Sequence, residues 1–203
     1  IFSHLSSSDN PNDDYFTQNQ LKCFEKISKQ IETQIGYKTI KHILNSSGIE
    51  RFQNNSMDMV RLGLGLYGIS ANNNVSPIVS LTTKISQIKS VEKGESIGYS
   101  RNTIASKLTK IGIIPIGYAD GFSRAFSNGK GKVIVNGKKA SVIGNVCMDM
   151  TMIDLNGINA KVGDAVEIFG PQQSIDHLAS SIDTIPYEIL TSISERVTRI
   201  YKE

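Results

Sequence analysis

The feature that most limits what this chain can fold into is a change of pattern near Pro77. Before it, short apolar segments alternate with a helical repeat. After it, apolar residues recur at every second position. Helices and strands place side chains with different periods, so no single element type serves both halves. The 203 residues suffice for one large domain or two modest ones. The shift favours two, 1–75 and 76–203.

Ile1 to Leu5 is a short apolar segment, followed by a polar loop from Ser6 to Asp14. Leu21, Phe24, Ile27 and Ile31 then recur at spacings of three and four, which predicts a helix with one apolar face. Gly36 is placed to end it. Ile40 to Leu44 reads as a short strand, Asn45-Ser46-Ser47-Gly48 as a loop or helix start, and Met59 to Ile69 as another apolar strand. Strand, helix, strand in that order predicts a parallel sheet.

Beyond Pro77, strand-like runs fall at 79–85, 86–91, 111–118, 132–135, 140–146, 150–155 and 165–169. Asn136-Gly137 between two of them is a strong hairpin signal. The stretch from Ser174 to Ser194 supports one or two short helices. This part reads as an all-β domain.

Composition removes several function classes. Hydrophobic residues make up 39% and charged residues 20%, as in soluble globular proteins. Net charge is +3, with Lys and Arg interleaved among acids, so neither a nucleic-acid stripe nor a membrane patch is expected. No apolar run reaches transmembrane length. Cys23 and Cys147 stand far apart, in neither a metal-ligand spacing nor a disulfide frame, and a reducing cytoplasm is the simplest home. The sequence opens on an apolar segment without Met and reads as a piece of a longer chain.

Five segments could carry chemistry, and each has an ordinary structural reading beside it. In Asp58-Met59-Val60-Arg61-Leu62-Gly63-Leu64-Gly65-Leu66-Tyr67-Gly68, an Arg lies in a glycine-rich apolar run. It either pairs with an acid for structural reasons or faces a ligand. His42-Ile43-Leu44-Asn45-Ser46-Ser47 puts small polar residues where a parallel sheet binds ligands, but Asn and Ser are also good helix caps. Gly98-Tyr99 and Gly117-Tyr118-Ala119-Asp120-Gly121 are Gly-Tyr pairs at strand ends, where Tyr is commonly a core residue. Gly144-Asn145-Val146-Cys147-Met148-Asp149 could be a packed turn.

Taken together and in order, these segments resemble the carboxyl-terminal part of the alanine racemase family. His4 to Asp9 fits His-x-x-x-x-Asp, Asn45-Ser46 fits the family's Asn-Ser pair, and Met59 to Leu64 fits M-V-R-x-G-[IL]. Tyr99, Gly117 to Gly121 and Cys147 to Asp149 fit the Tyr-Gly-containing loop, G-Y-A-D-G and C-M-D. The resemblance covers nearly the whole chain. It implies an α/β plus β fold: the last part of an α/β (TIM-type) barrel, then a mainly β carboxyl-terminal domain. It also implies a pyridoxal 5′-phosphate (PLP) enzyme that interconverts L- and D-alanine by two-base proton transfer, supplying D-alanine for peptidoglycan. The family acts as a homodimer with shared active sites.

By the same resemblance, Ser46 binds the PLP phosphate, with backbone N–H groups near Asn45, Gly63 and Leu64. Arg61 faces the pyridine nitrogen, and His4 lies near the ring. Tyr99 is the catalytic base on one face of the substrate carbon. Met148 approaches the alanine carboxylate through its backbone N–H. Asp9, Tyr118, Arg124 and Ile193 line the substrate entrance.

Three departures stand out. The family's PLP-binding lysine lies in a motif like V-K-A-x-A-Y-G, and no lysine here has that context. These residues alone are therefore expected to be inactive. Asn145 stands where an Arg is common, and Glu195 where a phosphate-contacting Tyr is frequent. A non-catalytic dimerisation or interaction fragment and a broader-specificity PLP racemase remain alternatives. Arg61 in place of a carboxylate argues against a PLP decarboxylase.

Overall fold

The computed structural model describes residues 1–70 and 75–202. The chain divides into two compact units, Ile1–Ile78 and Val79–Glu203.

In the amino-terminal unit, three extended segments run side by side. Phe2 bridges His42 in parallel. Ser3 N–H donates to the His42 carbonyl at 3.3 Å, and His42 N–H to that of Ile1 at 3.2 Å. Arg61 N–H donates to the Leu44 carbonyl at 3.0 Å, which ties in the third segment. This is the parallel pairing expected of strand–helix–strand order. Helix α1 (Asp14–Ile35) connects the first two segments and ends at Gly36, whose φ of 79° is open to glycine without penalty. Leu5, Leu21, Phe24, Ile43 and Leu44 form the core between helix and sheet.

The buried face of α1 is rotated from the one hydropathy suggests. Thr17, Leu21, Phe24, Ser28 and Glu32 are buried, whereas Ile27 is 47% exposed. Glu32 is satisfied inside. Its carboxylate accepts from Thr39 N–H at 2.8 Å and Thr39 Oγ1 at 3.0 Å, and Lys41 Nζ lies at 3.3 Å. The Thr39 backbone donor, opposed by burial and aided by the Thr39 hydroxyl and the lysines, lowers its pKa from 4.5 to about 2.

The run Met59–Ile69 is not one strand. Its beginning is extended, and Leu64–Tyr67 then closes into a 3-10 turn ended by Gly68 at φ 72°. Gly68, free to adopt a left-handed backbone, is what lets the chain turn there. Helix α2 (Ser46–Arg51) begins at Asn45, whose Oδ1 accepts from Gly48 N–H at 2.9 Å.

Among the described residues the carboxyl-terminal unit is built on nine strands: β1 (Leu81–Lys84), β2 (Gln87–Val91), β3 (Ser96–Ile97), β4 (Thr103–Ile104), β5 (Thr109–Ile114), β6 (Lys132–Val135), β7 (Lys138–Ser141), β8 (Thr151–Asp154) and β9 (Ala165–Phe169). They form three sheets in the orders β1-β9-β6-β7, β2-β5-β8 and β3-β4. All named pairings are antiparallel. Asn136 and Gly137, at φ 48° and 75°, make the two-residue turn joining β6 to β7. Helices α3 (Ile175–Ser180) and α4 (Pro186–Ser192) follow.

Two expected strands are shorter than their hydropathy. The run 111–118 stops pairing at Ile114, and Tyr118–Asp120 is a 3-10 turn. The run 140–146 ends at Ser141, after which a single bridge joins Val142 to Ile153. The remainder is freed to form turns. Val91, Ile97, Ala105, Ile111, Cys147 and Met152 pack into one core behind those turns. The architecture is a partial α/β barrel with a β-domain.

Candidate functional site

The two units carry separate clusters. In the amino-terminal unit the centre is Arg61. Its Nη1 contacts His42 Nδ1 at 2.7 Å, and its Nη2 contacts His4 Nδ1 at 3.0 Å and the Ser3 carbonyl at 2.7 Å. Phe2 stacks on His42 at 5.6 Å, and the guanidinium lies over the Phe2 ring at 5.7 Å. Burial, reinforced by the Arg61 cation, pushes the His42 pKa below its ordinary value. A neutral His42 can accept from Arg61 at Nδ1. Among the described residues Arg61 forms no ion pair. The guanidinium is thus held by two imidazole rings and backbone carbonyls.

Beside it lies a donor cup. Ser46 is buried, and its Oγ accepts from Gly63 N–H at 2.9 Å and Gly65 N–H at 3.3 Å. Leu64 opens the 3-10 turn between those two glycines. A Cβ on Gly65 would meet the Leu62 side chain at 2.6 Å, while Ser46 Oγ, at 3.8 Å, stands at ordinary contact distance. Asn45 Oδ1 also accepts from Ser8 Oγ at 2.8 Å, and its Nδ2 lies 3.4 Å from His4 Nε2. This unit therefore brings together His4, Asn45, Ser46, Arg61, Gly63 and Leu64. Asp9 is exposed on the loop before α1. Amide and hydroxyl donors converging without a carboxylate suit a phosphate.

In the carboxyl-terminal unit, Tyr99, Tyr118, Arg124, Asn145, Val146, Cys147 and Met148 line an open depression of about 610 Å³. Tyr99 is 69% exposed, on a turn where Ser100 and Arg101 both have positive φ, at 63° and 50°. Gly98 supplies a φ of 74° at the turn's entrance. Burial raises the Cys147 pKa, against a smaller lowering by Arg124. That thiol is a packing residue.

The loops holding Tyr118 and Met148 are sewn together. Tyr118 N–H donates to the Cys147 carbonyl and Ala119 N–H to that of Met148, each at 3.0 Å. Arg196 pairs with Asp120 at 2.7 Å and Asp149 at 2.6 Å, joining both loops to the segment after α4. These carboxylates, through hydrogen bonds first, raise the Arg196 pKa. Ile193 sits in that segment, half-buried against Gly121.

Sequence reasoning missed His42 and Arg196 as organisers. The acids of G-Y-A-D-G and C-M-D, which together call for a cation, were the available signal for Arg196. For His42, the signal was its place two residues after Ile40 in an apolar strand. Among the described residues no cluster of three His, Cys, Asp or Glu could hold a metal, and no helix is long and apolar enough to cross a membrane.

Residues 1–71 match the alanine racemase N-terminal domain and residues 78–201 the alanine racemase C-terminal domain. Alanine racemase 2 of Caldanaerobacter subterraneus subsp. tengcongensis is 42% identical over 99% of this chain and 54% of its own length. Alanine racemase 1 of Clostridium acetobutylicum is 39% identical over 99% of this chain and 55% of its own. The chain spans about half the length of the curated relatives it matches. The alanine racemase of Streptomyces lavendulae superimposes with a TM-score of 0.92 at 30% identity, covering 100% of this chain and 56% of that one. That of Bartonella henselae, solved with covalently bound pyridoxal phosphate, gives 0.87 at 30% identity over the same shares. This chain belongs to the alanine racemase family.

Proposed function

We propose that these residues supply the phosphate cup and the proton-transferring tyrosine of a PLP-dependent racemase acting on alanine. The observation that carries the reading is the carboxylate-free setting of Arg61. When bound, PLP supplies the electron-withdrawing ring that makes an amino acid's α-proton acidic. An Arg facing its ring nitrogen cannot accept a proton and keeps that nitrogen unprotonated. Electron withdrawal is then moderate, which favours returning the proton over side reactions such as transamination.

Ser46 Oγ and the Gly63 and Gly65 amides that converge on it would hold the phosphate. The Gly65 amide joins the Gly63 and Leu64 donors expected from sequence. His4 and Arg61, in contact with each other, orient the ring edge. Tyr99 moves a proton at the substrate α-carbon through its phenolic oxygen. A phenol ordinarily titrates near 10, so it needs cationic help at neutral pH. In a homodimer, Tyr99 of one protomer would serve the cofactor held by the other, and Arg61 with His4 would supply that help. Tyr118, Arg124 and Met148 line the approach to Tyr99, and the family resemblance assigns Ile193 and Asp9 to the substrate entrance. The apolar Met148 in that approach suits a methyl side chain. No lysine among these 203 residues has the context of the family's PLP-binding lysine.

The test is racemisation of L-alanine by the full-length protein with PLP, set beside residues 1–203 alone. Full-length protein should racemise, and 1–203 should neither racemise nor yield a borohydride-fixed PLP–lysine adduct. A fixed adduct on one of these lysines, with activity, would overturn the assignment.

A further inference from the structure

We propose that Asn145 is a positioning residue for Tyr99, acting with Asn128 and Thr103 as a side-chain brace around the loop that presents the phenol. The inference rests on the role given to Tyr99 above.

The turn Tyr99–Arg101 does not hold itself. No side chain caps it, and Ser100 and Arg101 sit at φ 63° and 50°. Non-glycine residues persist in that region only where their surroundings fix them. The fixing groups are in view. Asn145 Nδ2 donates to the Tyr99 carbonyl at 3.2 Å. Asn128 Nδ2 donates to Asn145 Oδ1 at 3.2 Å. Thr103 Oγ1, just past the turn, donates to Asn128 Oδ1 at 3.4 Å. The chain of bonds leaves the loop at Tyr99 and returns at Thr103.

The amide orientation follows from donor and acceptor roles. The Tyr99 carbonyl can only accept, so Asn145 must turn Nδ2 toward it and leave Oδ1 for Asn128. Asn145 is only 5% exposed, and both polar ends of its side chain are used. The brace is itself anchored. Asn128 N–H donates to the Gly144 carbonyl at 2.8 Å, and Ser127 Oγ accepts from Val146 N–H at 3.0 Å. Gly144, at φ 71°, lets the chain lie so close to Ile97 that a Cβ would meet its carbonyl oxygen at 2.9 Å.

The residue type matters. An Arg, common at this position in the family, has five donors and no acceptor. It could reach the Tyr99 carbonyl but could not receive the Asn128 amide. The closed brace therefore belongs to an asparagine at 145. Its effect is to hold the Tyr99 backbone, and hence the start of the phenol's reach, in one place.

The experiment uses the full-length protein with two substitutions. Asn145→Asp keeps the shape but replaces the donor with an oxygen facing a carbonyl. Asn128→Gly deletes the middle amide while keeping a backbone free to hold φ 58°. Two readouts are taken: kcat and KM for alanine racemisation, and amide hydrogen exchange of cofactor-free protein. Both variants should lower kcat by about tenfold to a hundredfold, as for a misplaced catalytic group. KM should stay within about twofold. Exchange should rise in peptides covering Gly98–Asn102 and stay unchanged in those covering β5 and β8. Wild-type kcat in both variants, wild-type exchange in the loop, or a rise spread through the β-domain would each overturn the brace. If wild-type protein does not racemise alanine, the functional reading has failed on its own. The exchange data then decide, with a rise confined to 98–102 supporting the brace and its absence refuting it.

Discussion

Gly117→Ala should cost the β-domain about 3 kcal/mol or more, the sum of two lost backbone bonds and the strain of parting two loops. Gly117 has φ −148°, which any residue adopts, so the constraint is one of space. A Cβ there would lie 2.2 Å from the Cys147 carbonyl oxygen and 2.4 Å from that of Met148. Ordinary carbon–oxygen contact is about 3.3 Å, so the loops must separate by on the order of 1 Å. The Tyr118 and Ala119 N–H bonds to those same carbonyls, both 3.0 Å, cannot survive such a shift. Each contributes about 1 kcal/mol net, and the freed carbonyls are only partly compensated by water. Asp120 would then swing away from Gly117 N–H, which it holds at 2.8 Å, and loosen its pair with Arg196. Urea unfolding followed by far-ultraviolet circular dichroism gives the stability, and amide exchange at 118–119 gives the local effect. A loss below about 1 kcal/mol with both amides still protected would refute the reasoning.

Acid should weaken the amino-terminal unit through Glu32. Its pKa is depressed from 4.5 to about 2, so its contribution is complete above 4.5 and disappears as pH falls toward 2. Stability measured across that window should fall in the wild type, and Glu32→Gln should flatten this part of the profile. Arg61→Glu in the full-length protein should raise pyruvate formation relative to racemisation, because a carboxylate keeps the ring nitrogen protonated. Loss of PLP binding with an unchanged product ratio would count against that role.

Legibility in the sequence followed the range of the forces involved. The β6–β7 turn was readable because Asn136-Gly137 sets its own backbone. The end of α1 was readable for the same reason at Gly36. The buried face of α1 was not. Hydropathy follows Ile27 and Ile31, whereas the fold buries Ser28 and Glu32, the latter because Thr39 and Lys41 arrive from beyond the helix to satisfy it. The Met59–Ile69 run misled because apolar side chains are common to strands and turns, and only the backbone at Gly68 separates them. In the two clusters, Ser46, Arg61, Tyr99 and Met148 are proposals that rest on their motifs. Arg196 could not be named that way, since its partners lie 76 and 47 positions away. Asn145 read only as a departure from a common Arg. The structure gives its amide a partner on each side.

The central claim is that Tyr99 transfers the proton on one face of the substrate, and α-proton exchange in deuterated water tests it most directly. Steady-state rates alone are a weaker test, because equilibrium ties the two directions of racemisation together. Full-length wild-type protein with PLP should exchange the α-proton of both alanine enantiomers. Tyr99→Phe should keep PLP bound, lose racemisation and lose exchange of L-alanine, while D-alanine still exchanges without inverting. Exchange of both enantiomers at wild-type rates in Tyr99→Phe, with racemisation intact, would contradict the claim.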